Sequence, residues 1–311
     1  MTLVLTRSDL EAVLTPKACL ELLRDGFVRA RDAAVTGQRV RTDLPFPGTA
    51  TALIPGVLPG VEAYTVKVNA KFPGARPALR GVICLHSGRD GELLALLDSA
   101  TVTAWRTGLA AALGTHVLAG PGDVLGVIGA GAQAELMVRG LTELRTYREL
   151  VVHDTDAERA AAFADRHDGR PAASATEVAA TADTVLLATW AREPLLRLSD
   201  TRAGQHFTSL GADEPGKQEL SADLLGAALL VVDDRELAAG MGALAAAGLP
   251  ATAADATLGD VLRGEGPGRA SAEGRTVYAP VGLPWQDLAL SWAAYRAAER
   301  AGVGRRVDLL A

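Results

Sequence analysis

The stretch "DVLGVIGAGAQAELMVRGL", residues 123–141, decides how the chain is read. Val124, Leu125, Val127 and Ile128 make a short, almost continuous apolar run, as a strand covered on both faces requires. Gly129, Gly131 and Ala134 follow as G-x-G-x-x-A, leading into a helical stretch from Glu135 to Leu144. Gly129 permits a tight turn, Gly131 removes the side chain where a pyrophosphate would approach, and Ala134 lets helix and strand pack closely. The free amides and positive end of the helix would then meet phosphates. Alone, the pattern describes an ordinary glycine turn equally well, so its neighbours have to decide. Leu150-Val151-Val152 reads as a second strand ending in His153-Asp154, and Asp154 lies 25 positions after Gly129. An acid there can accept both hydroxyls of an adenosine ribose and repels the extra phosphate of NADP. The alternative for Asp154 is a turn or capping residue, because "HDTDAERAAAFADR" starts a helix. Strand, glycine pattern, helix, strand and acid in this order predict a dinucleotide site that takes NAD in preference to NADP.

The rest of the composition narrows the class. At 311 residues the chain is long enough for two domains and a sizeable core. A net charge of −6 without a basic cluster argues against nucleic acid as a partner. Cys19 and Cys84 stand far apart and read as structural thiols in a reducing compartment. Arg7, Asp9 and Glu11 interrupt the first residues, which excludes a signal peptide, and no uncharged apolar run reaches membrane-spanning length. These features predict a soluble cytoplasmic protein without a membrane partner. His86, His116, His153, His167 and His206 are scattered with no metal-like spacing, so no metal is expected.

Along the chain, residues 9–33 read as two amphipathic helices, with Pro16 well placed in a first turn. From Arg39 to Leu97 short β-prone runs punctuated by Gly and Pro predict a small, mostly antiparallel sheet. "DSATVTAWRTGLAAALGTHVLA" follows as a helix capped by Asp98 or Ser99, and "GPGD" at 120–123 ends it. Beyond Val124 strands at 184–189, 206–212 and 228–234 alternate with helix-like or loop segments, which predicts a parallel, doubly wound sheet. "ELAAGMGALAAAGLP" is helix-prone but weakened by Gly240 and Gly242, and 263–275 reads as a loop. A closing helix from about Trp285 to Arg300 carries Leu288, Trp292 and Tyr295 on one face and is expected to return to the first domain.

Hydride transfer needs a group that holds the substrate and another that moves a proton. In "AYTVKVNAKF", Thr65, Lys67, Asn69 and Lys71 alternate with Tyr64, Val66, Val68 and Ala70, so Lys67 falls on the polar face of a strand. By pattern alone Lys67, Arg41 and Arg106 read as solvated side chains. Asp213, directly after "HFTSLGA", falls where the loops of such sheets hold ligands. "TSL" at 208–210 lacks the elbow glycines of a nucleophilic serine.

These residues carry a family resemblance. Over nearly its whole length the sequence resembles the ornithine cyclodeaminase/μ-crystallin family of nicotinamide-dependent enzymes. The motifs are "VRT" at 40–42, "KVNAKFPG" at 67–74, "GELLALLDSATVTAWRTGLAAALG" at 91–114, "VIGAGAQA" at 127–134 and "SLGADEPGKQEL" at 209–220. The resemblance implies a homodimer built on a substrate and dimerisation domain, 1–118 with 286–311, and a Rossmann-type nucleotide domain, 119–285. It implies that Arg41, Lys67 and Arg106 hold a substrate carboxylate, with Asp213 and Val281 also at the substrate. Lys67 and Asp213 would be the catalytic pair. Arg106, Gly129, Gly131, Ala132, Gln133, Asp154, Thr189, Ser209, Leu210 and Lys217 would contact the cofactor.

Three departures bear on the substrate. The family's "LPT" stands here as Arg76-Pro77-Ala78, its "SVG" as Pro280-Val281-Gly282, and no charged residue lies between Asp43 and Glu62. A cationic second amine, as in ornithine, therefore lacks an obvious carboxylate. The resemblance thus implies an NAD(H)-dependent oxidoreductase acting at the Cα–N bond of a small α-amino or cyclic α-imino acid. The alternatives are a cyclodeaminase that recycles NAD and a non-enzymatic ligand-binding protein of the μ-crystallin kind.

Overall fold

In the computed structural model, which describes residues 1–32, 39–72, 75 and 78–309, the chain divides into two compact units. Unit 1 comprises 1–107 and 283–311, and unit 2 comprises 108–282. The change of unit falls between Thr107 and Gly108, inside one continuous helix. The reading of the sequence put it after that helix instead. A boundary inside a helix carries no Pro/Gly-rich or polar linker to mark it, and the single Gly108 is packed within the helix.

Unit 1 is a seven-stranded sheet with helices. Its elements are β1 (Thr2–Leu5), α1 (Arg7–Val13), α2 (Pro16–Arg29), β2 (Val40–Asp43), β3 (Ala50–Gly56), β4 (Ala63–Lys71), β5 (Leu79–Ser87), β6 (Leu93–Asp98) and the start of α3 (Ser99–Leu118). The strand order is β15-β1-β6-β5-β4-β3-β2, where β15 is Arg305–Val307. All pairings are antiparallel except β1 with β6, as a mostly antiparallel sheet requires. β1 and β15, four and three residues long, are not foreseen by pattern because they are too short for a two-residue alternation to register. Pro16 occupies the first turn of α2, and the Asp98 carboxylate accepts from the Thr101 amide to start α3. Residues 33–35 of the expected second helix, Pro73 and Gly74 of "KVNAKFPG", and Arg76 and Pro77 lie outside the described residues.

Unit 2 is doubly wound. Its elements are β7 (Val124–Ile128), α4 (Ala132–Thr142), β8 (Glu149–His153), α5 (Ala157–Arg166), β9 (Arg170–Pro171), α6 (Ala175–Thr181), β10 (Thr184–Leu187) and β11 (His206–Ser209). They continue with α7 (Ala222–Gly226), β12 (Leu229–Val232), α8 (Arg235–Met241), α9 (Ala243–Ala246), β13 (Ala256–Thr257), α10 (Leu258–Arg263) and β14 (Thr276–Tyr278). The order β13-β12-β14-β11-β10-β7-β8-β9 is parallel throughout and reverses direction between β7 and β10. In open sheets of this kind ligands bind beyond the strand carboxyl ends at that reversal. Gly242 separates α8 from α9, so the alanine-rich segment is two helices rather than one. The last unit 1 helix, α11 (Pro284–Ala301), packs on β3, β4 and β5. Among the described residues no helix is long and apolar enough to cross a membrane.

β4 reverses the ordinary rule of sidedness. Its polar residues Thr65, Lys67 and Asn69 are buried, while Tyr64, Val66, Val68 and Ala70 are only half-buried. The face that looked solvated is therefore the one covered by α11. For Lys67 and Asn69 the cause is partnering, with Asp287 and the Ser99 hydroxyl, since polar groups tolerate burial when their hydrogen bonds and charges are met. The Thr65 hydroxyl has no partner among the described residues.

Candidate active site

In unit 1 the buried face of β4 meets α11. Lys67, 1% exposed, extends its Nζ to 2.5 Å from Asp287 Oδ2. Arg106, on α3, places Nε 3.2 Å from the other Asp287 oxygen and Nη1 3.4 Å from Gln286 Oε1. Two cations thus share one carboxylate in a desolvated space. Burial lowers the Lys67 pKa to about 8, although the adjacent Asp287 charge works to raise it. Burial opposes the Asp287 charge too, but Lys67 and Arg106 outweigh it and hold that carboxyl below its ordinary range. Lys67 is therefore a mostly protonated ammonium that can exchange its proton near neutral pH. Gly56 makes the close approach possible. A Cβ there would sit 2.5 Å from the Pro284 carbonyl oxygen and 2.6 Å from Thr65 Oγ1.

Arg41 lies elsewhere on the same sheet. In register it is opposite Ala52, which is opposite Asn69, so it shares the Lys67 face at the β2 edge. It is exposed and pairs with Asp43 at 2.9 Å. Arg39, just before β2, contributes positive potential at both Lys67 and Asp287. Pattern reading missed Asp287, Gln286 and Arg39. One signal was available: Asp287, Ser291, Ala294 and Ala298 share a helical face, and an aspartate on a buried small-residue stripe needs a partner.

In unit 2 the glycine pattern sits at the strand reversal. Gly129, at φ +93°, donates its amide to the His153 carbonyl at 2.8 Å, and a Cβ would strike the Ala188 oxygen at 2.6 Å. Around Gly131, by contrast, a Cβ would meet no described atom within 4 Å, so nothing in this chain demands glycine there. Gly131 caps α4 without a side-chain oxygen, whereas Asp156, Ser174, Asp234 and Thr257 cap α5, α6, α8 and α10. Gln133 Oε1, in the first turn of α4 after Ala132, is buried and has no hydrogen-bond partner among the described residues. An open glycine and uncapped amides suit a phosphate, and the orphaned Gln133 oxygen is an acceptor for a donor such as a ligand hydroxyl. The Asp154 carboxylate accepts from the Ala130 amide at 2.8 Å and the Asp156 amide at 2.9 Å. Burial works against its charge, but these amides and Arg159 prevail and hold its pKa below the ordinary value. The helix cap is Asp156, which leaves Asp154 at the end of β8.

Beyond β10 and β11, Thr189 is half-buried, Ser209 and Leu210 are buried, and Asp213 is exposed. Lys217 reaches Asp213 at 2.8 Å and Glu214 at 3.1 Å, and its Nζ lies 4.1 Å from the ring centre of exposed Trp190. Val281 is buried, and its amide and that of Gly282 donate to Asp233. Unit 2 thus brings together Gly129, Gly131, Thr189, Ser209 and the Asp213–Lys217 pair at strand carboxyl ends. Glu219 and Asp233, two carboxylates that tie down these loops, had no periodic signal in the sequence. Among the described residues no cluster of His, Cys, Asp or Glu could hold a metal ion.

The family profile described as "Ornithine cyclodeaminase/mu-crystallin family" matches residues 1–302. The chain belongs to this family. A mouse (Mus musculus) ketimine reductase mu-crystallin is 33% identical, covering 86% of this chain and 87% of its own. The solved Thermococcus litoralis Δ1-pyrroline-2-carboxylate reductase, in complex with NADH and L-proline, superposes with a TM-score of 0.92 at 27% identity over 98% of this chain and all of its own. An archaeal alanine dehydrogenase dimer with bound NAD gives 0.93 at 27% identity over 99% of each chain. Family membership agrees with the glycine cradle of unit 2 and with the mixed α/β architecture of both units.

Proposed function

We propose that the chain is an NAD(H)-preferring oxidoreductase acting at the Cα–N bond of a small α-amino or cyclic α-imino acid. The observation that carries this reading is the buried Lys67–Asp287–Arg106 cluster, in a family whose relatives include reductases and dehydrogenases of such compounds. Two cations on one carboxylate leave a positive charge to attract the substrate carboxylate, with Arg41 on the same sheet face. The Gly129–Gly131 turn, the α4 amides and Asp154 would hold NADH, which would supply the hydride that the imine carbon takes up. Lys67, with a pKa of about 8, delivers a proton to the nitrogen; Asp213, held by Lys217, is the second candidate donor. The C=N bond becomes CH–NH, and oxidation runs the same steps backwards.

The test follows NADH absorbance with a panel of cyclic imines, and with keto acids plus ammonia. Expected is stoichiometric oxidation of NADH, faster than that of NADPH because Asp154 repels a 2′-phosphate. Ornithine with NAD should yield little proline, since an unmatched ammonium costs several kcal/mol to desolvate. Ammonia and proline formed without net cofactor turnover would assign the cyclodeaminase reaction instead.

The same reading includes a homodimer in the cytoplasm. The outer face of the unit 1 sheet carries Val4, Leu53, Val66, Val68, Val82 and Leu96, all half-buried or exposed in this chain. A second copy is the natural cover for such a continuous apolar face. Val68→Glu should convert a dimer into a monomer in sedimentation; an unchanged dimer would move the interface elsewhere. Free Cys19 and Cys84 suit a reducing compartment.

A further inference from the structure

Glu219 is fully buried just after β11, and both of its carboxylate oxygens are saturated. Oε1 accepts from the Thr189 amide at 2.7 Å and the Thr189 hydroxyl at 2.8 Å. Oε2 accepts from the Ser209 hydroxyl and the Gly211 amide, each at 2.8 Å. All four donors are neutral. Gly211 is required by this packing, because a Cβ there would lie 2.4 Å from Oε1. The Thr189 hydroxyl also accepts from the Ala191 amide at 3.2 Å. Burial pushes the Glu219 pKa up, while its four donors pull the other way.

A threonine hydroxyl has one proton and two lone pairs. At Thr189 the proton is committed to Glu219 and one lone pair to Ala191, so a single lone pair remains. Thr189 is the half-buried member of the group, and Ser209 lies behind it, buried. Thr189 also follows β10, across the strand reversal from β8, whose end carries Asp154. In a doubly wound sheet with the adenosine ribose at the β8 end, the β10 side belongs to the other half of the dinucleotide.

We propose that Glu219 is a positioning residue that locks the Thr189 hydroxyl as an acceptor, so that this strand end selects the N–H-bearing carboxamide of a nicotinamide. Ribose hydroxyls can donate or accept and are indifferent to this sense. The carboxamide nitrogen only donates, and its replacement by a methyl ketone removes the complementary group. The proposal rests on the NAD(H) reading above and adds to it the reason why one cofactor headgroup is preferred.

The experiment measures binding of NADH, reduced 3-acetylpyridine and thionicotinamide analogues, and ADP-ribose. In the unmodified protein the thionicotinamide analogue, which keeps its NH₂, should match NADH, and the acetylpyridine analogue should bind roughly tenfold more weakly. Thr189→Val, of similar shape, should level that ratio, and Thr189→Ser should restore it. Glu219→Asp, too short to reach all four donors, should also level the ratio while ADP-ribose binds as before. Equal binding of NADH and the acetylpyridine analogue by the unmodified protein would overturn the proposal and leave the cofactor reading intact. Glu219→Asp losing ADP-ribose in step with NADH would reduce Glu219 to a structural role and overturn it too. Failure to bind NADH and ADP-ribose alike would bring down the cofactor reading itself.

Discussion

A buried carboxylate anchors the candidate site of each unit, and the two are partnered by opposite means. Asp287 in unit 1 lies between the ammonium of Lys67 and the guanidinium of Arg106, and its pKa falls. Glu219 in unit 2 lies among four neutral donors, and its pKa rises. Ion pairing leaves protons and charges that a substrate can exchange with. Saturation by fixed dipoles leaves a rigid edge whose hydroxyl and amide partners carry no charge. In the proposed function the Lys67 proton is drawn from unit 1, and cofactor placement and the alternative donor Asp213 fall to unit 2.

The harshest way to break this contrast is to remove the ammonium. Lys67→Ala leaves Asp287 buried with Arg106 alone, and losing one partner of such a pair costs about 2–5 kcal/mol. The expected loss in kcat/KM is roughly 30- to 5,000-fold. It should exceed that of Arg41→Ala, since Arg41 is exposed and already held by Asp43. NADH affinity, measured by fluorescence titration, should stay within about twofold in both. A parallel collapse of NADH binding would erase the division of labour.

Asp287→Asn sharpens the contrast with a smaller effect. The Asp287 charge raises the Lys67 pKa against burial, so its removal moves that pKa below about 8. In the proposed imine reduction the protonated lysine is the active form, so activity should fall as pH rises through its pKa. The alkaline limb of the kcat/KM profile should therefore move to lower pH. A limb that stays in place would exclude Lys67 as the titrating donor.

The smallest effect concerns a neutral network in unit 2. His206 is fully buried, bonded to Thr276 and Thr208 hydroxyls, and burial pushes its pKa well below 6.5. Below about pH 6.5 the unfolded chain takes up a proton that the folded chain refuses. Stability from this group is thus present above pH 6.5 and lost as pH falls. Between pH 7.5 and 5.5 the loss should be about 1.4 kcal/mol. His206→Gln should flatten that part of the denaturation profile; an unchanged slope would assign it to carboxylates.

How far the sequence could be read differed between the units for a physical reason. In unit 2 backbone geometry shapes the candidate site, and backbone demands leave marks: glycine where φ is +93°, glycine where the space is open, an acid closing β8. The parallel order was legible for the same reason, although β13 and β14, at two and three residues, were not. In unit 1 side-chain pairing makes the site, and pairing between Lys67 and Asp287 leaves no local mark. A lysine alternating with valines looks solvated until its counter-ion is known. The family resemblance, not periodicity, supplied Lys67 and Arg106; neither supplied Asp287 or Glu219.

That pair also has a history in time. Lys67 and Asp287 are 220 positions apart, and the whole of unit 2 is encoded between them. At roughly 5–20 residues per second a ribosome takes roughly 10–40 s to travel that distance. Throughout this interval the first unit to be translated waits for its counter-ion and its covering helix, while the second emerges as one uninterrupted span. Unit 2 is thus the first to be complete on the growing chain, and the Lys67–Asp287 pair can close only afterwards.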